Sequence, residues 1–199
     1  MAYAQSYFIV DNTIKWVSKQ NYLEFLIEGK SFIKNYLLYG NAVFNASMAI
    51  FRKEVFEAIS KEYINFKFCG DWLFWGLVAT QGKVFISGKI LNYFRNHTGD
   101  VSSKAYSTGL NFFEDIKVLN LFYEKNFIDT LEFKSALYKK YVDFIQKKKL
   151  LHQHVVDELQ KKFEYYIYEI IHPSIFVVFK RNLISILRVC KKIIKQDFP

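Results

Sequence analysis

Asp71 stands in "FCGDWLFWGLV" (Phe68 to Val78), a single acid at the head of an apolar run. Apolar neighbours cannot replace the water that an ionised carboxylate loses on burial. Two roles make such a placement tolerable. As a helix N-cap, Asp71 would accept backbone N–H groups and complement the helix dipole. Facing a cleft, it would take a proton from a bound hydroxyl. Trp72 and Trp75 lie three apart, so a helix puts them on one face, either in the core or on a cleft wall. A second cluster is "NYFRNHTGDVSS", where Arg95 and His97 alternate with Phe94 and Asn96. On a strand, that alternation points Arg95 and His97 to the same side. A guanidinium and an imidazole there suit a phosphate, and the imidazole can also hold a divalent metal. The alternative is a surface arginine and a hydrogen-bonded histidine. His152 and His154 would hold a metal only with further ligands, and a solvated helix face is the simpler reading.

These residues need elements to place them. "AYAQSYFIV" (Ala2 to Val10) is rich in β-formers and reads as a strand, either opening a sheet or lying in its middle. "DNTIKWVSKQN" reads as a turn and loop. Phe32, Ile33, Tyr36 and Leu37 have helical spacing, closed by Gly40. A strand around Ala46 to Phe51 and a helix from about Lys53 follow. Asp71 to Thr80 suits a helix apolar nearly all round, hence buried, between Gly70 and Gly82. "KVFISGKILNYFRNH" predicts a strand, a Ser-Gly turn and a second strand. An amphipathic helix comes next, with Ser102 or Ser103 as its cap. From Thr130 the pattern is helical throughout, with Pro173 breaking one helix and starting another.

Composition narrows the class. Of 199 residues, 51% are hydrophobic and only two are proline, which excludes a disordered chain. Aromatics make up 19%, enough for a sizeable core in the first part. Cys69 and Cys190 fit neither a metal spacing nor a disulfide framework, so reduced thiols in a cytoplasmic protein are expected. The opening residues lack the pattern of a secretory signal, and no run of apolar residues is long enough to span a bilayer. The net charge of +9 is uneven. Residues 1–132 hold 14 Lys and Arg against 13 Asp and Glu, whereas residues 133–199 hold 14 against 6. That asymmetry points to an anionic partner for the tail. Without a helix-turn-helix, zinc or RNP-like motif, nucleic acid ranks last, and the tail is either bound to an anionic membrane surface or a solvated helical bundle packed on the first part.

Three stretches in order, "NASMAIFRKEVF", "CGDWLFWGLVATQGKVFI" and "LNYFRNHTGDVSS", resemble the second half of the family 2 glycosyltransferases, nearest the bacterial enzymes that decorate surface polysaccharides. The resemblance covers roughly residues 2–127. It implies an α/β fold: a partial GT-A (Rossmann-like) sandwich over 1–128, followed by an all-helical basic tail over 129–199. It implies that Asp71, in "GDW", is the general base. Trp72 and Trp75 would wall the acceptor site or pack behind it, Asn45 and Ser47 would lie near the sugar, and Arg95 with the metal ligand His97 would sit at the donor diphosphate. The partners implied are a nucleotide-sugar, a saccharide or lipid-linked acceptor and a divalent cofactor, Mn or Mg. The expected location is cytoplasmic, peripheral at the inner face of the cell membrane. The chain departs from the family in lacking any Asp-x-Asp motif and in starting where the family's sheet is half built. A C-terminal half is therefore expected, one that works with a missing N-terminal half or as a homo-oligomer. The alternative is an inactive remnant or accessory module bound to a membrane surface or partner through its basic helices.

Overall fold

In the computed structural model, which describes residues 1–18, 24–96 and 101–170, the chain is a mixed α/β fold. Strand β1 (Ala2–Val10) lies in the middle of the sheet, the second of the two placements open to it. Along one edge it pairs in parallel with β5 (Lys83–Asn96). Its other edge is shared by two antiparallel partners, β4 (Ala49–Ile50) beside Ala2 and Tyr3, and β2 (Thr13–Val17) beside Tyr7 to Val10. Strand β3 (Phe25–Glu28) closes the far side of β5, antiparallel to it.

Two local readings need correction. The stretch after Val10 is a hairpin rather than a loop. Asp11 and Asn12 adopt φ of 48° and 59°, the left-handed pair that a two-residue hairpin turn demands. Asp and Asn tolerate that region because their short side chains bond locally. The other correction concerns Ser87 and Gly88, which do not turn the chain. They lie within one continuous strand, and between the pairs Tyr3↔Ile86 and Ser6↔Asn92 β5 uses three more residues than β1. The excess bulges out, which bends and twists a sheet locally. Gln5 bridges the irregularity, its Nε2 donating to the Ser87 carbonyl at 2.9 Å.

Helix α1 (Gly29–Phe32) runs into a wider turn, Ile33–Leu37, and buries Phe32, Ile33 and Leu37. Phe32 meets the ring of Tyr3 edge-on at 5.6 Å, which anchors this helix to the sheet. Helix α2 (Lys53–Ala58) follows, then α3 (Gly70–Ala79), buried from Trp72 to Val78 except at Phe74. Glycine is required where α1 begins. A Cβ on Gly29 would run into the carbonyl of Ala79 at the end of α3, and Gly29 itself donates to the Gly82 carbonyl at 3.0 Å.

The single amphipathic helix expected after residue 100 is two: α4 (Val101–Thr108) and α5 (Leu110–Glu124), broken at Gly109 with φ 72°. Ser102 and Ser103 lie inside α4 and so do not cap it. Helix α6 (Thr130–Lys147) starts on a capping box, with Glu132 N–H donating to Asp129 Oδ1 at 2.9 Å and Asp129 N–H donating to Glu132 Oε2 at 2.7 Å. After Thr130 the described chain is helical except at Leu151 and His152, ending in α7 (Gln153–Ile170). Pro173 and Cys190 lie outside the described residues. The chain divides into two compact units, Met1–Val156 and Asp157–Pro199. The site below is built entirely from the first.

Candidate functional site

Asp71 is the second residue of α3, and Cys69 occupies the N-cap position without a side-chain cap bond. The N-cap expectation is therefore corrected, although the carboxylate does sit in the first turn, where the dipole favours negative charge. Its Oδ1 accepts the Trp72 N–H at 2.7 Å, and its Oδ2 accepts Asn41 Nδ2 at 2.9 Å. Asn41 is itself fixed, because its Oδ1 accepts the Val43 N–H at 3.0 Å and leaves the amide nitrogen for Asp71. Asp71 is open on the side facing a cleft, while protein crowds its other sides. That crowding removes water and raises its pKa, against the opposing pull of the Trp72 and Asn41 hydrogen bonds.

The cleft holds a cavity of ≈ 550 Å³, within the range of small-molecule sites. Phe8 and Phe94 supply rings from the sheet, and Phe44 packs beside them at 6.4 Å from Phe94. Trp72 of α3, Tyr106 of α4 and Phe112 of α5 add three more. Opposed to these apolar faces are Asp71 and Asn41, then Asp115 of α5, and Lys140, Asp143 and Lys147 along one face of α6. Apolar rings with a few convergent polar groups are the usual make-up of a small-molecule site.

Two acids missed at the sequence level hold this wall together. Glu114 of α5, 4% exposed, accepts three successive backbone N–H groups: Lys67 at 2.9 Å, Phe68 at 2.8 Å and Cys69 at 2.8 Å. It thereby ties down the loop that delivers Asp71. Asp115 pairs with Lys140 at 2.9 Å and accepts the Cys69 thiol at 3.5 Å. Lys140 Nζ also lies 4.8 Å from the centre of the Trp72 ring, a cation–π distance. Burial raises the Asp115 pKa, and the Lys140 charge opposes that rise. Burial and then the Asp115 charge push the Cys69 thiol far up, so it stays protonated and is no nucleophile. A signal for both acids was present: Glu114 and Asp115 fall among Phe112, Ile116, Leu119 and Phe122, the buried positions of α5.

The other expected residues scatter. Trp72 lines the cavity and donates its Nε1 to the Leu37 carbonyl at 2.8 Å. Trp75 does not line it. It packs in the core against Phe51 and Phe74 at 6.0 and 4.8 Å, with its Nε1 unpartnered. Asn45 Oδ1 accepts from Asn92 at 3.3 Å, and Ser47 is exposed on the Ala46–Met48 turn; neither lines the cavity. Arg95 is exposed on β5 directly after Phe94, so strand alternation turns it to the face opposite the cavity. His97 lies outside the described residues. His152 and His154 stack at 5.9 Å on an exposed surface.

Among the described residues no group of three or more His, Cys, Asp or Glu could hold a metal ion. Asp115 is taken by Lys140, and Asp143 by Lys139 at 2.6 Å. The expected metal ligand His97 lies outside the described residues, and the chemistry below routes no step through a metal. No described helix is long and apolar enough to cross a membrane. No family model, curated protein or solved structure matches this chain.

Proposed function

We propose that the first unit is the acceptor-binding part of a family 2-type glycosyltransferase of GT-A architecture, with Asp71 as general base. The observation that carries this reading is an oriented carboxylate of raised pKa, open to a cavity walled by seven aromatic residues. Aromatic faces suit the C–H faces of a sugar ring, and the acid suits one of its hydroxyls. In the reaction, Asp71 takes the proton of the acceptor hydroxyl as that oxygen attacks the anomeric carbon of a nucleotide-sugar. The new C–O bond forms as the bond to the nucleoside diphosphate breaks. Desolvation makes the carboxylate a stronger base than free aspartate, and Asn41 fixes its direction of approach. Trp72 is a wall of the acceptor site, and Trp75 belongs to the core.

The test is a calorimetric titration of the whole chain with UDP-sugars, with and without Mn²⁺, and separately with disaccharides. Saccharide binding that Asp71→Asn weakens supports the reading. Saturable UDP-sugar binding would add a donor site to it. Absence of saccharide binding at millimolar concentration overturns it.

A further inference from the structure

The charges around the cavity do not cancel evenly. Asp115 is matched by Lys140 and Asp143 by Lys139. Asp71 is met by neutral donors only, Asn41 and the Trp72 N–H. Lys147, on the same face of α6 as Lys140 and Asp143, has no carboxylate partner among the described residues. Its Nζ lies 5.5 Å from the Tyr106 ring, itself part of the cavity wall. Lys148 and Lys149 follow directly in the next turn but do not line the cavity, so Lys147 is the cation without an acidic partner that faces it among the described residues. The C-terminal end of α6 explains why lysines are comfortable there, since the dipole favours positive charge. It does not explain why one of them faces the cavity.

Resting on the acceptor-site reading above, we infer that the saccharide this cavity takes carries an anionic substituent, a carboxylate or a phosphate ester, seated at Lys147. Asp71 then meets a hydroxyl of the same molecule, and like charge keeps the anion away from Asp71. Lysine presents a point charge without the fork of arginine, so either anion is accepted.

The experiment is a protein-observed NMR titration of the whole chain with glucose, glucuronate, glucose 6-phosphate and inorganic phosphate, at low and high salt. At low salt the charged sugars should bind about fivefold tighter than glucose, a preference the size of one exposed ion pair. High salt should erase it. Lys147→Gln should abolish the preference. The stronger of the two charged sugars then identifies which anion the site takes. Equal binding of glucose and the charged sugars overturns this inference while leaving the acceptor-site reading intact, as does a preference that survives in Lys147→Gln. Inorganic phosphate binding as tightly as glucose 6-phosphate also overturns it, because the rim is then a plain anion site. If no sugar binds, the acceptor-site reading fails as well.

Discussion

Glu114 offers the sharpest structural test. Its two oxygens receive three backbone N–H groups from Lys67, Phe68 and Cys69, all within 2.9 Å. Hydrogen bonds to a charged group contribute about 1.5–3 kcal/mol each, and a buried donor left unpaired costs about 1–3 kcal/mol. The three losses in Glu114→Ala are not additive. The bonds to Lys67 and Phe68 are only part-buried, so those donors regain water, whereas the Cys69 bond is fully buried. The substitution also relieves the cost of burying the carboxylate. The expected net loss is about 3 kcal/mol, which for a unit of this size lowers the melting temperature by about 6–12 °C. Urea unfolding at unchanged slope measures it, and Glu114→Gln, which keeps one oxygen, should fall between. A loss of less than about 1 kcal/mol for Glu114→Ala would refute the view that this side chain holds the loop before α3.

Other expectations follow from the same wall. Lys140→Met leaves Asp115 buried and unpaired and should cost about 3–5 kcal/mol, most of it recovered in Asp115→Leu/Lys140→Met; equilibrium unfolding of both variants decides this. Gly29→Ala drives a methyl group into the Ala79 carbonyl and should destabilise by more than about 2 kcal/mol, read by the same unfolding curves. The pH dependence of Asp71→Asn has a definite sign. The folded state holds the Asp71 proton more tightly than the unfolded chain does, so ionisation disfavours folding. That penalty begins as pH rises past the unfolded value of about 3.9 and is complete above the raised folded value. Asp71→Asn should therefore melt at or above the wild-type temperature at neutral pH, an advantage that fades toward pH 4; thermal scans across that window test it.

Much of the scaffold was legible from local pattern. The β-formers of Ala2–Val10 marked β1, and the all-round apolar run between two glycines marked α3 to within a residue. The turn after Val10 was read, but not as a hairpin with β2 returning from it, because Asp11-Asn12 lacks the glycine that usually supplies a left-handed pair. Ser87-Gly88 carried turn chemistry that the sheet used for a bulge, since β1 pairs with β5 both before it, at Phe85 and Ile86, and after it, from Ile90, which keeps β5 running on through it. At the site, Asp71 stood out because an acid in an apolar run is conspicuous. Asn41, Glu114, Asp115 and Lys140 reach the same wall from distant segments; the spacing of α5 marks Glu114 and Asp115 as buried, but the partners of all four depend on tertiary pairing. Arg95 and Trp75 illustrate the reverse: sequence proximity to the right motif did not put them in the cavity.

The most direct measurement is the pH dependence of sugar transfer by wild type and Asp71→Asn, followed as nucleoside diphosphate release in the presence of a saccharide acceptor. The account predicts a wild-type rate that climbs with pH through an apparent pKa above that of free aspartate. In Asp71→Asn that limb should vanish and the rate should fall by about 10²–10⁴-fold, the usual contribution of a general base. A variant that folds and transfers sugar at near wild-type rate, with the same pH profile, would contradict the assignment of Asp71 as the base.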